Sequence, residues 1–141
     1  MVAYSFAPQF IDPIVARTKK QTVRGHRARH ARPGEPIQLY TGMRTKYCRK
    51  LIDPDPICIG VHPITITIDT EAEQLITGIT HGHVELSDVG IERFAECDGF
   101  GSLAQGFARR RMGEFWLKAH AEPGARWIEF KGVCIRWGWP Q

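Results

Sequence analysis

The sequence contains no apolar run near the roughly 18–20 residues that a membrane-spanning helix needs. Its apolar stretches, such as residues 57–61, are much shorter. The first residues also lack the basic segment followed by an apolar stretch that marks a secretion signal. From these absences we expect a cytoplasmic protein that does not associate with a membrane.

The patterns of metal sites and disulfide frameworks are missing as well. The four cysteines form no CxxC pair, which argues against a zinc knuckle, and a domain of 141 residues does not depend on disulfides. His81 and His83, with Glu85 next in register, mimic one corner of a metal site, but no further ligand lies near them in the sequence. We expect no metal ion and no cofactor.

Positive charge is absent from one part of the chain and concentrated in another. Residues 51–92 contain no Lys or Arg and eight acids, whereas residues 17–50 contain eleven bases and the single acid Glu35. Such a segment is typical of a surface that binds a polyanion, and we interpret it as an RNA-binding segment. The bases are Arg17, Lys19, Lys20, Arg24, Arg27, Arg29, Arg32, Arg44, Lys46, Arg49 and Lys50.

The hydrophobic pattern predicts one domain over residues 1–141, of the α+β class and barrel-like, with five to seven strands and two or three short helices. Alternating or β-branched stretches predict strands over Val2–Phe6, Ile37–Thr41 and Ile57–Asp69, a hairpin partner over 74–86, and two strands flanking Lys131-Gly132. Helical turns are predicted over 43–51, and helices over 87–96, capped by Ser87, and over 102–119.

Three motifs carry chemical information. They are Lys19-x-x-Thr22-x-Arg24 after a short helix that Pro8 is predicted to open, the turn Pro33-Gly34-Glu35, and the segment Phe94-Ala95-Glu96-Cys97-Asp98-Gly99-Phe100. Together they resemble the ASCH domains of the PUA-like superfamily over nearly the whole chain. Two positions depart from that pattern: Arg17 stands where a Gly usually precedes the Lys, and Asp98 stands where many members have Glu.

The resemblance implies a PUA-like β-barrel with a cleft for RNA or a modified nucleoside. Some ASCH proteins remove the acetyl group of N4-acetylcytidine with the Lys, Thr and acidic positions, which correspond here to Lys19, Thr22 and Asp98. Others are linked to cleavage of single-stranded RNA, or only to RNA binding.

The Lys19 motif also suits hydrolysis on chemical grounds. A lysine whose ammonium form is disfavoured by burial and neighbouring cations can act as a base. A threonine hydroxyl or a water beside it supplies the attacking oxygen, and a carboxylate orients the lysine. The alternative is that Lys19 and Lys20 are solvated charges and Thr22 only begins a strand.

A second constellation follows the predicted strand Ile37–Thr41. Arg44 and Lys46 suit phosphate oxygens, and Tyr40 offers a ring on which a base can stack. Tyr40 or Lys46 beside a phosphodiester could activate a ribose 2′-hydroxyl without a metal. The alternative is that Tyr40 packs against the barrel and the bases are solvated.

Three functional hypotheses result. The first is an RNA-binding ASCH protein that cleaves single-stranded RNA without a metal, using Lys19, Thr22, Asp98, Tyr40 and Lys46. The second is an amidohydrolase for N4-acetylcytidine, and the third is a module that binds RNA or a modified nucleoside without chemistry. The remaining bases of residues 17–50 are the predicted RNA contacts.

Overall fold

The strands of the protein form two sheets in the computed structural model, which describes residues 2–101 and 106–140. The first sheet has three strands in the order β1-β3-β4. Strand β1 (Val2–Phe6) runs parallel to β3 (Ile37–Thr41), and β3 pairs antiparallel with the two-residue strand β4 (Arg49–Lys50).

The second sheet is antiparallel and has the order β2-β8-β5-β6-β7. Its long central pair joins β5 to β8 from Ile57 opposite Gly138 to Asp69 opposite Trp127. The strands are β2 (Gln21–Arg24), β5 (Ile57–Asp69), β6 (Ile76–His81), β7 (Val84–Glu85) and β8 (Trp127–Gly138).

Three α-helices accompany the sheets in the described residues. A 3-10 turn at Pro8–Phe10 leads into α1 (Ile11–Val15); α2 (Asp88–Cys97) and α3 (Ala108–His120) follow later. The Ser87 hydroxyl accepts a hydrogen bond from the Gly90 N–H at 3.1 Å, which caps α2 as predicted. None of these helices has the length and apolar character needed to cross a bilayer.

Apolar side chains of both sheets and all three helices meet in one core cluster. Alternation along β5 explains its inward face, because Ile64, Ile66 and Ile68 are each at most 2 % exposed. Two contacts join the two sheets in the described residues. An isolated bridge joins Pro36 to Ile57, and the Arg24 side chain donates to the Ser5 carbonyl oxygen at 2.7 Å.

The predicted α+β class is confirmed, and so are strands β1, β3 and β5. The described residues form eight strands rather than five to seven, and no closed barrel is found among them. The predicted partner over 74–86 is split into β6 and β7 by a turn at Gly82, which has φ +63°.

Two local predictions are wrong. Helical turns over 43–51 do not form: Gly42 and Arg44 have φ of +63° and +67°, and the segment ends in β4. Lys131-Gly132 does not separate two strands, because β8 continues through it. A Cβ on Gly132 would lie 2.2 Å from the Arg24 carbonyl oxygen, so this glycine permits close strand pairing. The predicted start of the last helix at Ser102 lies outside the described residues.

Candidate functional site

Lys19 is buried, with 2 % of its surface exposed, just before strand β2. Its Nζ donates a hydrogen bond to the main-chain carbonyl oxygen of Asp98 and lies 3.6 Å from Asp98 Oδ1. The same Nζ lies 4.6 Å from the centre of the Phe10 ring. A buried ammonium needs such partners, because an unpaired charge in an apolar interior is strongly destabilising.

The end of helix α2 carries Asp98 to Lys19. Asp98 is the C-cap residue, and Gly99 turns the chain away with φ +98°. A Cβ at position 99 would lie 2.9 Å from Lys19 Cδ and 3.0 Å from Phe10 Cδ1. Gly99 is therefore required twice, once for the backbone conformation and once for the space that Lys19 occupies.

Thr22 and Arg24 are two positions apart in β2, so their side chains project from the same face of the strand. Arg24 Nε donates to Thr22 Oγ1 at 3.2 Å, and the Arg24 guanidinium lies 4.7 Å from the centre of the Phe6 ring. Gln21, between Lys19 and Thr22 in the sequence, donates from Nε2 to Asp98 Oδ1 at 3.3 Å. The segment thus forms two hydrogen-bonded groups, one of Lys19 and Gln21 on Asp98 and one of Arg24 on Thr22, which together we call the Lys19 cluster.

This cluster lines a cavity of about 330 Å³, which we call the Lys19 cavity. Its polar lining includes Lys19, Thr22, Arg24 and Asp98. Its other walls are largely aromatic, with Phe6, Phe10, Phe100, Phe115, Trp116, His120 and Phe130. A few polar groups converging on apolar walls are the usual composition of a small-molecule site, and the volume lies near the lower end of the range of about 300–1,000 Å³.

The aromatic walls are ordered by contacts among themselves. Phe10, Phe100 and Phe115 meet with ring centres 5.3–5.5 Å apart, and the rings of Trp116 and Phe130 lie 4.4 Å apart. Trp116 Nε1 is buried and has no hydrogen-bond partner in the described part of the chain. The cavity therefore combines rigid aromatic faces with one unused donor on a lining residue.

Burial governs the protonation of the central pair. Burial lowers the pKa of Lys19, while the Asp98 carboxylate acts in the opposite direction. Burial raises the pKa of Asp98, and the nearby Lys19 opposes that change. A lysine with a lowered pKa has a larger fraction of free amine at neutral pH, which is the form that can accept a proton.

Tyr40 and Lys46 lie elsewhere, and neither lines the Lys19 cavity. Tyr40 is half-buried on β3, where its hydroxyl is 3.5 Å from Gln38 Oε1. Lys46 is exposed after β3, with its Nζ 5.1 Å from the centre of the Tyr47 ring. These two predicted residues are separate from the Lys19 cluster.

The basic residues of positions 17–50 are distributed over several surfaces. Arg17 and Lys20 line a different groove, described below, and Arg27 lies over the Tyr4 ring at 4.5 Å. Arg29 pairs with Glu35, whose Oε1 also accepts from the Arg32 N–H at 2.8 Å, and Lys50 pairs with Asp55 at 2.6 Å. Arg44 and Arg49 are exposed after β3.

Sequence reasoning missed Gln21 and most of the aromatic walls. Gln21 is inside the motif, so its position was the available signal. Phe115, Trp116 and Phe130 give no such signal, because apolar residues in a helix and a strand look like ordinary core residues until the fold brings them together.

The first histidine of the His81-Gly82-His83 segment lies among aromatic side chains. His81 contacts the rings of His62 and Phe94, and burial lowers its pKa. Over residues 2–101 and 106–140, no group of three or more His, Cys, Asp or Glu side chains is arranged to hold a metal ion.

Comparison of the chain with protein-family models, with curated proteins and with solved structures finds no match.

Proposed function

We propose that this protein hydrolyses the amide of an acylated nucleobase, with N4-acetylcytidine as the substrate. The observation that carries the proposal is the convergence of Lys19, Thr22 and Asp98 on one small aromatic cavity. These are the residues in which the resemblance to ASCH amidohydrolases lies. Tyr40 and Lys46, the residues of the other predicted hydrolytic site, do not line this cavity.

The dimensions and lining of the Lys19 cavity suit a single nucleoside. Phe115 and Trp116 offer aromatic faces to a planar base, and base stacking on such rings contributes about 1–3 kcal/mol. A volume of about 330 Å³ is too small for several nucleotides of a strand. Free nucleoside, or one nucleotide turned out of a strand, is therefore the preferred substrate.

The chemistry begins with Lys19 as the free amine. Lys19 takes the proton of the attacking oxygen, which belongs to the Thr22 hydroxyl or to a water that Thr22 holds. The oxygen adds to the carbonyl carbon of the acetyl group. Arg24, which is hydrogen-bonded to Thr22 Oγ1, stabilises the oxyanion that forms.

The amide bond between the acetyl carbonyl carbon and N4 then breaks, and the Lys19 ammonium returns its proton to N4. Water attack releases acetate directly, whereas attack by Thr22 leaves an acetyl ester that a second water hydrolyses. Asp98 holds Lys19 in place through its carbonyl oxygen and its carboxylate.

The test is to incubate the purified protein with N4-acetylcytidine and to quantify cytidine and acetate by mass spectrometry. We expect equimolar release that Lys19→Ala abolishes. Lys131→Ala is the matched control, because Lys131 is exposed on β8, where it pairs with Glu129 at 3.3 Å, and does not line the cavity. Wild-type protein that releases no acetate would refute the proposal.

We also propose that the chain is an ASCH domain of the PUA-like superfamily. We infer that the two sheets are a PUA-like barrel that is incompletely closed. The support comes from two contacts between the sheets: the Pro36–Ile57 bridge and the hydrogen bond from the Arg24 side chain to the Ser5 carbonyl oxygen.

RNA binding is a second candidate function, favoured by the turn that follows β3. Arg44, Lys46 and Arg49 are exposed there. In the described part of the chain no carboxylate oxygen lies within 4.0 Å of their cationic groups. Unpaired exposed cations of this kind suit the phosphates of single-stranded RNA.

End-labelled unstructured RNA in excess EDTA tests this candidate. We expect a salt-sensitive mobility shift that Lys46→Ala weakens. If the RNA is also cleaved, Lys46→Ala and Tyr40→Phe should stop the cleavage. Cleavage that survives both substitutions would exclude this surface as a ribonuclease site.

A further inference from the structure

A groove of about 560 Å³ shares no lining residue with the Lys19 cavity. We call it the cationic groove, because Arg17, Lys20 and Arg136 line it together with Trp139. These side chains come from the end of α1, the approach to β2 and the end of β8. Lys20 lines the groove while its neighbour Lys19 lines the cavity.

Arg17 adopts a conformation that is unfavourable for its residue type. It follows α1 with φ +61°, in the left-handed region where glycine is the usual residue after a helix. The Thr18 N–H bonds back to the Pro13 carbonyl oxygen at 2.9 Å, which fixes this helix end. A strained non-glycine residue is a reason to look for a function of its side chain.

The Arg17 side chain is held in place by an aromatic ring. Its guanidinium lies 4.1 Å from the centre of the Trp139 ring, and Trp139 is anchored by its Nε1, which donates to the Pro54 carbonyl oxygen at 3.0 Å. This stacking leaves the guanidinium edge free to donate hydrogen bonds in its own plane.

The three cations of the groove have no anionic partner among the described residues. None of the described lining residues is Asp or Glu, and no described carboxylate oxygen lies within 4.0 Å of Arg17, Lys20 or Arg136. By contrast, Arg126 pairs with Asp69 at 3.0 Å. Convergent cations beside an aromatic ring favour an anion with a planar group attached.

We propose that the cationic groove binds the phosphate of a nucleotide, either free or within an RNA strand. Arg17 and Arg136 donate to the phosphate oxygens as guanidinium forks, and Lys20 adds a point charge. The stacked Arg17 and Trp139 provide a flat surface for the base. Because the groove is separate from the Lys19 cavity, this proposal does not depend on amide hydrolysis.

Titration calorimetry at low salt tests the groove with inorganic phosphate, cytidine, CMP and a short oligocytidylate. We expect CMP to bind more tightly than cytidine, and Arg136→Gln or Lys20→Gln to weaken binding at least about tenfold. Arg93→Gln, an exposed arginine of α2 outside the groove, is the matched control and should change nothing.

Arg17→Gly separates binding from stability. Glycine suits φ +61°, so the melting temperature should stay the same or rise, while CMP affinity falls about tenfold. An oligocytidylate that binds far more tightly than CMP identifies an RNA strand as the source of the phosphate, and equal affinities identify the free nucleotide. Binding without phosphate dependence, or binding unchanged by Arg17→Gly and Arg136→Gln, would overturn the proposal, whatever the outcome of the acetate assay.

Discussion

Lys19 and Asp98 are held together through two different oxygens of Asp98, the main-chain carbonyl oxygen that accepts the hydrogen bond from Nζ and the carboxylate Oδ1 at 3.6 Å. Both residues are buried, with 2 % and 4 % of their surfaces exposed. Because one contact uses the backbone, the end of helix α2 positions the lysine even when the acidic side chain is changed.

Asp98→Asn should preserve this backbone contact and remove the counter-charge. The Lys19 ammonium then lies buried without an anion, so we expect a loss of about 3 kcal/mol in the free energy of unfolding at neutral pH. Urea-induced unfolding of the variant and of the wild-type protein measures this loss. Glu114→Gln, in an exposed pair with Arg110, is the control, and its loss should stay below about 0.5 kcal/mol.

The deficit of Asp98→Asn should shrink as the pH rises. Burial lowers the pKa of Lys19 and the Asp98 carboxylate raises it, so this pKa lies lower in the variant than in the wild-type protein. Between the folded-state pKa and 10.5 the unfolded chain binds the additional proton, and because this range begins at lower pH in the variant, its stability gains more as the pH rises. Urea-induced unfolding of the wild-type protein and of Asp98→Asn at neutral and at alkaline pH measures this deficit at each pH. A deficit that is constant or grows with pH would show that the ion pair is not its source.

Gly99→Ala should displace Lys19. The new methyl group meets Lys19 Cδ at 2.9 Å, and the backbone at φ +98° is unfavourable for alanine. We expect a loss of at least about 2 kcal/mol in stability, together with loss of acetate release. Gly34→Ala has φ +93° but meets no atom within 4 Å, so it measures the backbone cost alone and should keep activity.

Thr22→Val tests whether the hydroxyl takes part in the reaction. Valine has nearly the same shape but cannot hold or supply the attacking oxygen, and it leaves Arg24 Nε without its acceptor. We expect kcat/KM for N4-acetylcytidine to fall by about a hundredfold or more. Thr22→Ser restores the hydroxyl and should recover much of the rate; a valine variant of normal activity would remove Thr22 from the mechanism.

The pH dependence of the same reaction should reflect Lys19. Only its free amine accepts the proton, so kcat/KM should rise with pH and level off above the pKa of Lys19. The inflection should lie below 10.5, the ordinary lysine value, because burial favours the amine. A rate that is flat with pH, or that falls across this range, would argue against Lys19 as the base.

The sequence predicts correctly those helices and strands that depend on residues close to one another in the chain. The alternating Ile residues of β5, the β-rich segment Ile37–Thr41 and the cap at Ser87 each depend on residues close in sequence. The predicted helical turns over 43–51 do not form because Arg44, like Gly42 just before the segment, is left-handed, and the composition of residues 43–51 does not indicate this for an arginine. The local sequence predicts a break at Gly132, because the Arg24 carbonyl oxygen that this glycine accommodates is more than a hundred residues away.

The sequence by itself determined the α+β class, the separation of basic from acidic segments and the identity of the motif residues Lys19, Thr22 and Asp98. Only the tertiary structure decided that these three line one cavity, that Phe115 and Phe130 complete its walls, and that adjacent Lys19 and Lys20 belong to different sites. Alternation along a chain predicts that neighbouring side chains diverge, but which surface each one reaches depends on strand pairing and helix ends that join distant residues.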